Sequence, residues 1–156
     1  MNNTQLELDY NPILGFKLLK HSELKPHERV VTERFSKLTD YLKSLSPYVI
    51  IPSILVNIED NVIIDGHHRF HALVSLGFEK VPVTYINYQL DMIVTDLEGN
   101  KVLKSEILEA GNSGNLLEPK TSFHHVRDKN EGFHPIILLS TLYSEINSLH
   151  AHSTEV

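Results

Sequence analysis

Phe35, Leu38, Leu42 and Leu45 recur at i, i+3, i+7 and i+10, the spacing of one apolar helix face. The pattern predicts a helix over residues 33–45, with Thr32 as N-cap and Ser46-Pro47 as its end. Phe70, Ala72, Leu73 and Leu76 predict a second helix from about His67 to Leu76, closed by Gly77. Ser105 is placed to cap a short helix over residues 106–110, stopped by Gly111. Leu139, Leu142, Tyr143, Ile146 and Leu149 give residues 136–149 a helical period. Phe35, Leu38, Leu42, Leu73 and Leu76 are expected in the core.

Between these segments lie β-rich runs. Strands are expected around Phe16–Leu19, within Val49–Val56, at Val62–Ile64, at Val81–Ile86 and over Leu90–Thr95. Pro52 gives the second of these either an edge position or a start after the proline. Lys25–Glu28, Asn57–Asn61, Asp96–Asn100, Gly111–Asn115 and residues 127–134 are polar connections. Residues 1–11 and the last seven read as loose ends. The middle of the chain therefore runs strand, turn, strand, junction, helix, strand.

The junction is Asp65-Gly66-His67-His68-Arg69. A helix N-terminus offers unpaired backbone N–H groups and the positive end of a dipole. Gly66 allows close approach to the backbone. Two imidazoles and a guanidinium beside them suit a phosphate. The alternative is structural: Asp65 caps the helix and Arg69 makes a surface ion pair. His67 and His71, at i and i+4, also suit a metal ion, although no third ligand is evident and the zinc-protease helix would need Glu at position 68.

The 156 residues suffice for one domain with a real core. No apolar run approaches the roughly 20 residues that cross a bilayer, and Met1–Gln5 lacks the features of a signal peptide. A cytoplasmic protein without membrane association is expected. There is no cysteine, which excludes disulfides, thiolate catalysis and Cys-type zinc sites. The net charge of −6 opposes nonspecific nucleic-acid binding.

Two further segments bear on chemistry. Glu28, in Lys25-Pro26-His27-Glu28-Arg29, is either a solvated loop carboxylate or a general base within reach of a hydroxyl. Lys120, Thr121, His124 and His125 follow Pro119 and form either a polar surface loop or a second wall of the anion site. Tyr85 and Tyr88 either stack on a base or serve the strand.

With these residues in view, the unit Pro52…Val62-Ile63-Ile64-Asp65-Gly66-His67-His68-Arg69-Phe70…Leu76-Gly77…Val81-Pro82-Val83 resembles the ParB/sulfiredoxin superfamily. Its Asp-Gly-His-His-Arg form is similar to the free L-serine kinases of that group. Leu24-Lys25-Pro26-His27-Glu28 resembles the segment carrying their catalytic glutamate. Glu109-Ala110-Gly111…Gly114…Pro119-Lys120-Thr121 resembles their C-terminal substrate and phosphate loop. Two positions depart from the pattern: Phe123 stands where a basic residue is expected, and Arg29 where a second acidic residue is common. Sulfiredoxin activity is excluded, since no cysteine is available.

The resemblance implies an α+β domain over residues 12–126, with a small C-terminal helical extension over 127–156. It implies phosphoryl transfer from ATP or ADP, with Mg²⁺, to the hydroxyl of free L-serine. Glu28 would be the base, and Asp65 would position Mg²⁺ or the hydroxyl. Gly66, His67, His68 and Arg69 would hold phosphates, and Lys120, Thr121 and His124 would close over the substrate. Two other readings remain: a nucleotide-binding regulatory domain without catalysis, and a ParB-like nucleic-acid module, which would need a basic face or a helix-turn-helix.

Overall fold

A computed structural model describes residues 8–95 and 102–141. The elements are β1 (Ile13–Lys20), α1 (Thr32–Ser44), β2 (Ile54–Asn57), β3 (Ile63–Asp65), α2 (His67–Ser75), β4 (Lys80–Ile86), β5 (Ile93–Val94), α3 (Lys104–Ser113), β6 (His125–Arg127), β7 (Phe133–Pro135) and α4 (Leu138–Thr141), with one 3₁₀ turn at His21–Glu23. The architecture is α+β. One sheet runs β1-β4-β2-β3 and a second runs β5-β6-β7.

In the first sheet β2 is antiparallel to β3 and parallel to β4, while β1 lies antiparallel on the outer edge of β4. The parallel pairing needs a crossover, and β3 with α2 supplies it. All four residues of β2 are buried. Alternate residues point to opposite faces of a strand, and here both faces are covered. Ile54 and Val56 join Ile63, Phe70, Leu73, Val81 and Val83 beneath α2. Leu55 joins Val62, Ile64, Ile86, Ile107 and Val126 on the opposite side. Pro52 lies ahead of β2, so this internal strand keeps its full ladder.

Several local expectations are corrected. The N-cap of α1 is Val31, with no side-chain bond, and Thr32 is already helical. Only Thr39 and Leu42 of α1 are buried. Phe35, Leu38 and Leu76 are partly exposed, while Leu42 and Leu73 are core. Gly111 does not end α3, which runs on to Ser113 with left-handed Gly114 as its C-cap. A Cβ at Gly111 would lie 2.6 Å from Val62 Cγ1, so this glycine lets the helix approach β3. Ser105 is not a cap: the Glu106 carboxylate accepts the Leu103 N–H at 3.1 Å.

The run expected as one strand over 90–95 keeps strand pairing at β5 alone. Residues 127–134, expected as a polar connection within a helical extension, enter β6 and β7 instead. The boundary expected after residue 126 thus falls inside β6. α4 begins the helix expected from Ile136, and Ser140 Oγ donates to the Ser53 carbonyl at 2.8 Å. The turn at 96–100 and most of the 136–149 helix lie outside the described residues.

Candidate active site

Residues 25–29 are held by backbone bonds on two sides. Lys25 N–H donates to Asn61 O at 3.0 Å, and Ile63 N–H donates to Lys25 O at 2.8 Å. Leu117 N–H then donates to His27 O at 2.8 Å, and Arg29 N–H to Leu117 O at 2.9 Å. The segment is a rung between the β3 edge and the chain after α3. Arg29 Nη1 donates to Glu118 Oε1 at 2.8 Å on the outside. Glu28, between two ladder-bonded residues, faces the opposite way, into the molecule.

It faces a cleft of about 480 Å³, within the range of small-molecule sites. One wall is the β3–α2 junction, Asp65 to Arg69. The other is Ser122–His125, with Ile137 beside it. Gly66 has φ +105° and is the N-cap of α2, with no side chain capping the first turn. Asp65 therefore does not cap the helix. The amides of His67, His68 and Arg69 are the orphan donors of a helix start, and they open where an anion would sit.

The side chains of the junction do less of this work than expected. His67 is buried, and its Nε2 accepts the backbone N–H of His27 at 3.0 Å. His68 Nε2 accepts the Val31 N–H at 3.0 Å. An imidazole that accepts through Nε2 is neutral with its proton on Nδ1. Burial holds the His67 pKa well below its ordinary value, aided by His27, and lowers that of His68, aided by Arg34. Both are struts for the segment before α1, not phosphate cations.

Arg69 NH2 donates to Ser53 O at 3.0 Å and to Asp65 Oδ2 at 3.3 Å, while its buried Nε has no hydrogen-bond partner. Its guanidinium lies against Gly66, where a Cβ would come within 2.8 Å of NH2. Arg69 thus braces the junction and partly neutralises Asp65.

Glu28 is 15% exposed. Burial raises its pKa to about 7; the Ser122 hydroxyl opposes the rise, and the Asp65 charge adds to it. Its Oε1 lies 4.0 Å from His67 Nδ1 and its Oε2 3.4 Å from Ser122 Oγ. A carboxyl titrating near neutrality at the rim of a cleft is matched to proton transfer.

Of the second wall, His124 lines the cleft but is buried, with Nε2 2.8 Å from Tyr88 Oη. Burial lowers its pKa to about 3, so it carries no charge toward a phosphate. Tyr88 is fully buried beneath it, which leaves its ring no ligand to stack on. Tyr85 Oη donates to Asn61 Oδ1 at 3.2 Å, away from the site. Lys120 is exposed, with φ +61°. Thr121 donates its hydroxyl to Glu118 O and lines a separate depression with Glu106 and Glu109. Neither reaches the cleft, whereas Phe123, half exposed, does.

Two residues of the site carried no signal in sequence. His27 is fully buried, with Nδ1 against Ile63 O and a pKa lowered by burial to about 4. Ser122 sits between His27 and Glu28. Among the described residues no group of three His, Asp or Glu could hold a metal ion by itself, and His67 Nε2 is already engaged. A Mg²⁺ brought by a nucleotide needs only one or two protein carboxylates, and Asp65, one-third exposed on the cleft, fits that role.

No family model matches the chain. A stretch of 75 residues is 33% identical to a protein of Staphylothermus marinus described as an ATP-dependent L-serine kinase, covering 46% of this chain and 29% of that one. A stretch of 74 residues is 34% identical to a ParB-like protein of Sulfolobus acidocaldarius, covering 46% of this chain and 34% of that one. The match thus spans only a minor part of these relatives. Among solved structures, a free serine kinase in complex with AMP superposes with a TM-score of 0.43 at 19% identity, over 58% of this chain and 37% of that one.

Proposed function

We propose that the chain is a nucleotide-dependent phosphotransferase acting on the hydroxyl of free L-serine to give O-phospho-L-serine. One observation carries the reading: Glu28, its carboxyl raised into the neutral range, shares a cleft with the unpaired amides that start α2. A base and a phosphate cradle in one cleft are the two parts that in-line transfer to an alcohol requires. The similarity to relatives described as ATP-dependent L-serine kinases supports the same reading.

In this reading the phosphates rest on the Gly66–Arg69 backbone, and Asp65 would hold a Mg²⁺ that would neutralise their charge. Glu28 accepts the hydroxyl proton as the serine oxygen attacks the terminal phosphorus, whose bond to the bridging oxygen breaks so that the nucleotide leaves one phosphate shorter. His67 and His68 keep the Glu28 segment at the right height over the helix. Lys120 and Thr121 reach the substrate only by movement of their loop. The catalytic unit is residues 12–126 completed by the β6–β7 hairpin, in the cytoplasm.

Phosphorus NMR of the protein with Mg²⁺, L-serine and either ATP or ADP tests the reading and identifies the donor. A phosphomonoester resonance of O-phospho-L-serine that needs the protein is the expected result. A second reading, nucleotide binding without turnover, is favoured by Arg69 being spent on Ser53 and Asp65 and by Lys120 standing outside the cleft. Nucleotide binding with no product from either donor selects it.

A further inference from the structure

Ser122 has one hydroxyl proton and two neighbours able to use it. Its Oγ lies 3.2 Å from His27 Nε2 and 3.4 Å from Glu28 Oε2, and those two atoms are 3.9 Å apart. The His27 ring is fixed: its Nδ1 meets the Ile63 carbonyl, so Nδ1 bears the proton and Nε2 is an acceptor. The ring is fully buried, and Ser122 Oγ is the hydrogen-bond partner of its Nε2. The groups facing Glu28 are His27 on its own segment, Asp65 from β3, His67 from α2 and Ser122 from the loop before β6.

We infer that Ser122 is a positioning residue for Glu28, its hydroxyl turning between Glu28 Oε2 and His27 Nε2 as the carboxyl loses and gains a proton. With Glu28 ionised, Ser122 donates to Oε2 and His27 Nε2 is left without a donor. When Glu28 takes the substrate hydroxyl proton, its new O–H donates to Ser122 Oγ. The Ser122 proton then swings to His27 Nε2. Ser122 keeps its own proton throughout, and His27 stays neutral. The carboxyl is therefore held in one place in both states, and the buried imidazole is satisfied in the protonated one. The catalytic meaning of this switch rests on the proposed role of Glu28; the hydroxyl bridge itself does not.

The test compares Ser122→Thr with Ser122→Val, which share a shape and differ by the hydroxyl. Nitrogen NMR of the histidine side chains reads the bridge, and steady-state kinetics with L-serine reads its use. The Thr variant should match the wild type in both. Below pH 7, where Glu28 holds its proton and Ser122 donates to His27, the Val variant should move the His27 Nε2 resonance to that of an imidazole nitrogen with no donor. It should also lower kcat roughly tenfold with KM for the nucleotide unchanged. Glu28→Gln supplies a check without altering Ser122: its amide donates to Oγ and should lock the hydroxyl on His27. A His27 resonance identical in the Thr, Val and Gln proteins overturns the bridge, and equal kcat in Thr and Val overturns its role. A clear His27 shift in a protein that makes no phosphoserine overturns the kinase reading and leaves the bridge standing.

Discussion

The Nε2 of His67 accepts the backbone N–H of His27 at 3.0 Å, which makes the first residue of α2 the support for the residue preceding Glu28. A buried donor and acceptor are matched across 40 residues of chain, and the proposed base is set beside the start of α2 as a consequence. His67→Phe keeps a buried ring and removes the acceptor. The stranded amide should cost about 1–3 kcal/mol of stability. Urea unfolding checks that loss. Turnover should fall more than nucleotide affinity, because the amides proposed to hold phosphate are not the groups being disturbed.

Glu28→Gln tests the base directly. Glutamine keeps the size and the polarity at the 15% exposed position, and it cannot accept a proton at neutral pH. Turnover should drop by about 10²–10⁴-fold, the usual worth of a positioned general base. Nucleotide affinity, measured by calorimetry with ADP, should change little. Unchanged turnover would remove Glu28 from the mechanism.

The strand-to-helix junction was legible because several rules agree there: a β-branched run, a glycine, then a helical period ended by Gly77, whose φ of +88° bears out its role as the glycine past the helix end. The roles of its side chains were not legible. An imidazole that binds phosphate and one that accepts a backbone N–H look alike in sequence, and only the approach of residues 27 and 31 decides between them. His27 sits among charged residues with no apolar period to announce its burial. Of the second sheet, β5 lies within the strand expected over Leu90–Thr95, but β6 and β7 do not show in sequence: strands of three residues are too short to show an alternation. Gly111 was misread as a stop because a glycine that admits a neighbouring Val62 and one that ends a helix leave the same letter.

The pH dependence follows from groups shifted in opposite senses. In its proposed role Glu28 must be ionised, and burial raises it to about 7, so kcat should rise with pH through about 7 and flatten above it. Stability should respond differently. His27 is lowered to about 4, His124 to about 3 and His67 well below 6.5. Between pH 6.5 and 4 the unfolded chain thus binds protons at these rings that the native one does not. Stability is lost as pH falls through that window. Glu28 acts against this between 4.5 and 7, where the native state holds the extra proton. His68 and His71 are lowered too, so the depressed rings outnumber the one raised carboxyl and the net result near pH 5.5 is a fall in stability as pH drops. Urea midpoints at pH 6.5 and 5.5 check the sign: an equal or higher midpoint at the lower pH would mean that the rings are not neutral in the native state.

The contact between Gly111 and Val62 offers a prediction at the back of the site. Val62 is fully buried, and a Cβ on residue 111 would sit 2.6 Å and 2.7 Å from its two methyl groups. Alanine has a higher helix propensity than glycine by about 1 kcal/mol, so at an open position of α3 the change would stabilise. Here overpacking should outweigh that gain, and Gly111→Ala should lose about 1–3 kcal/mol. Val62→Ala alone leaves a void in the core and should also destabilise. The two changes fill and empty the same space, so the double variant should be more stable than the sum of the single losses predicts by at least about 0.5 kcal/mol. A thermodynamic cycle from urea unfolding measures this coupling. Additive losses would show that α3 moves off β3 to make room. Such a movement would also disturb the bond from Lys25 Nζ to Asn112 Oδ1, which ties α3 to the segment that presents Glu28.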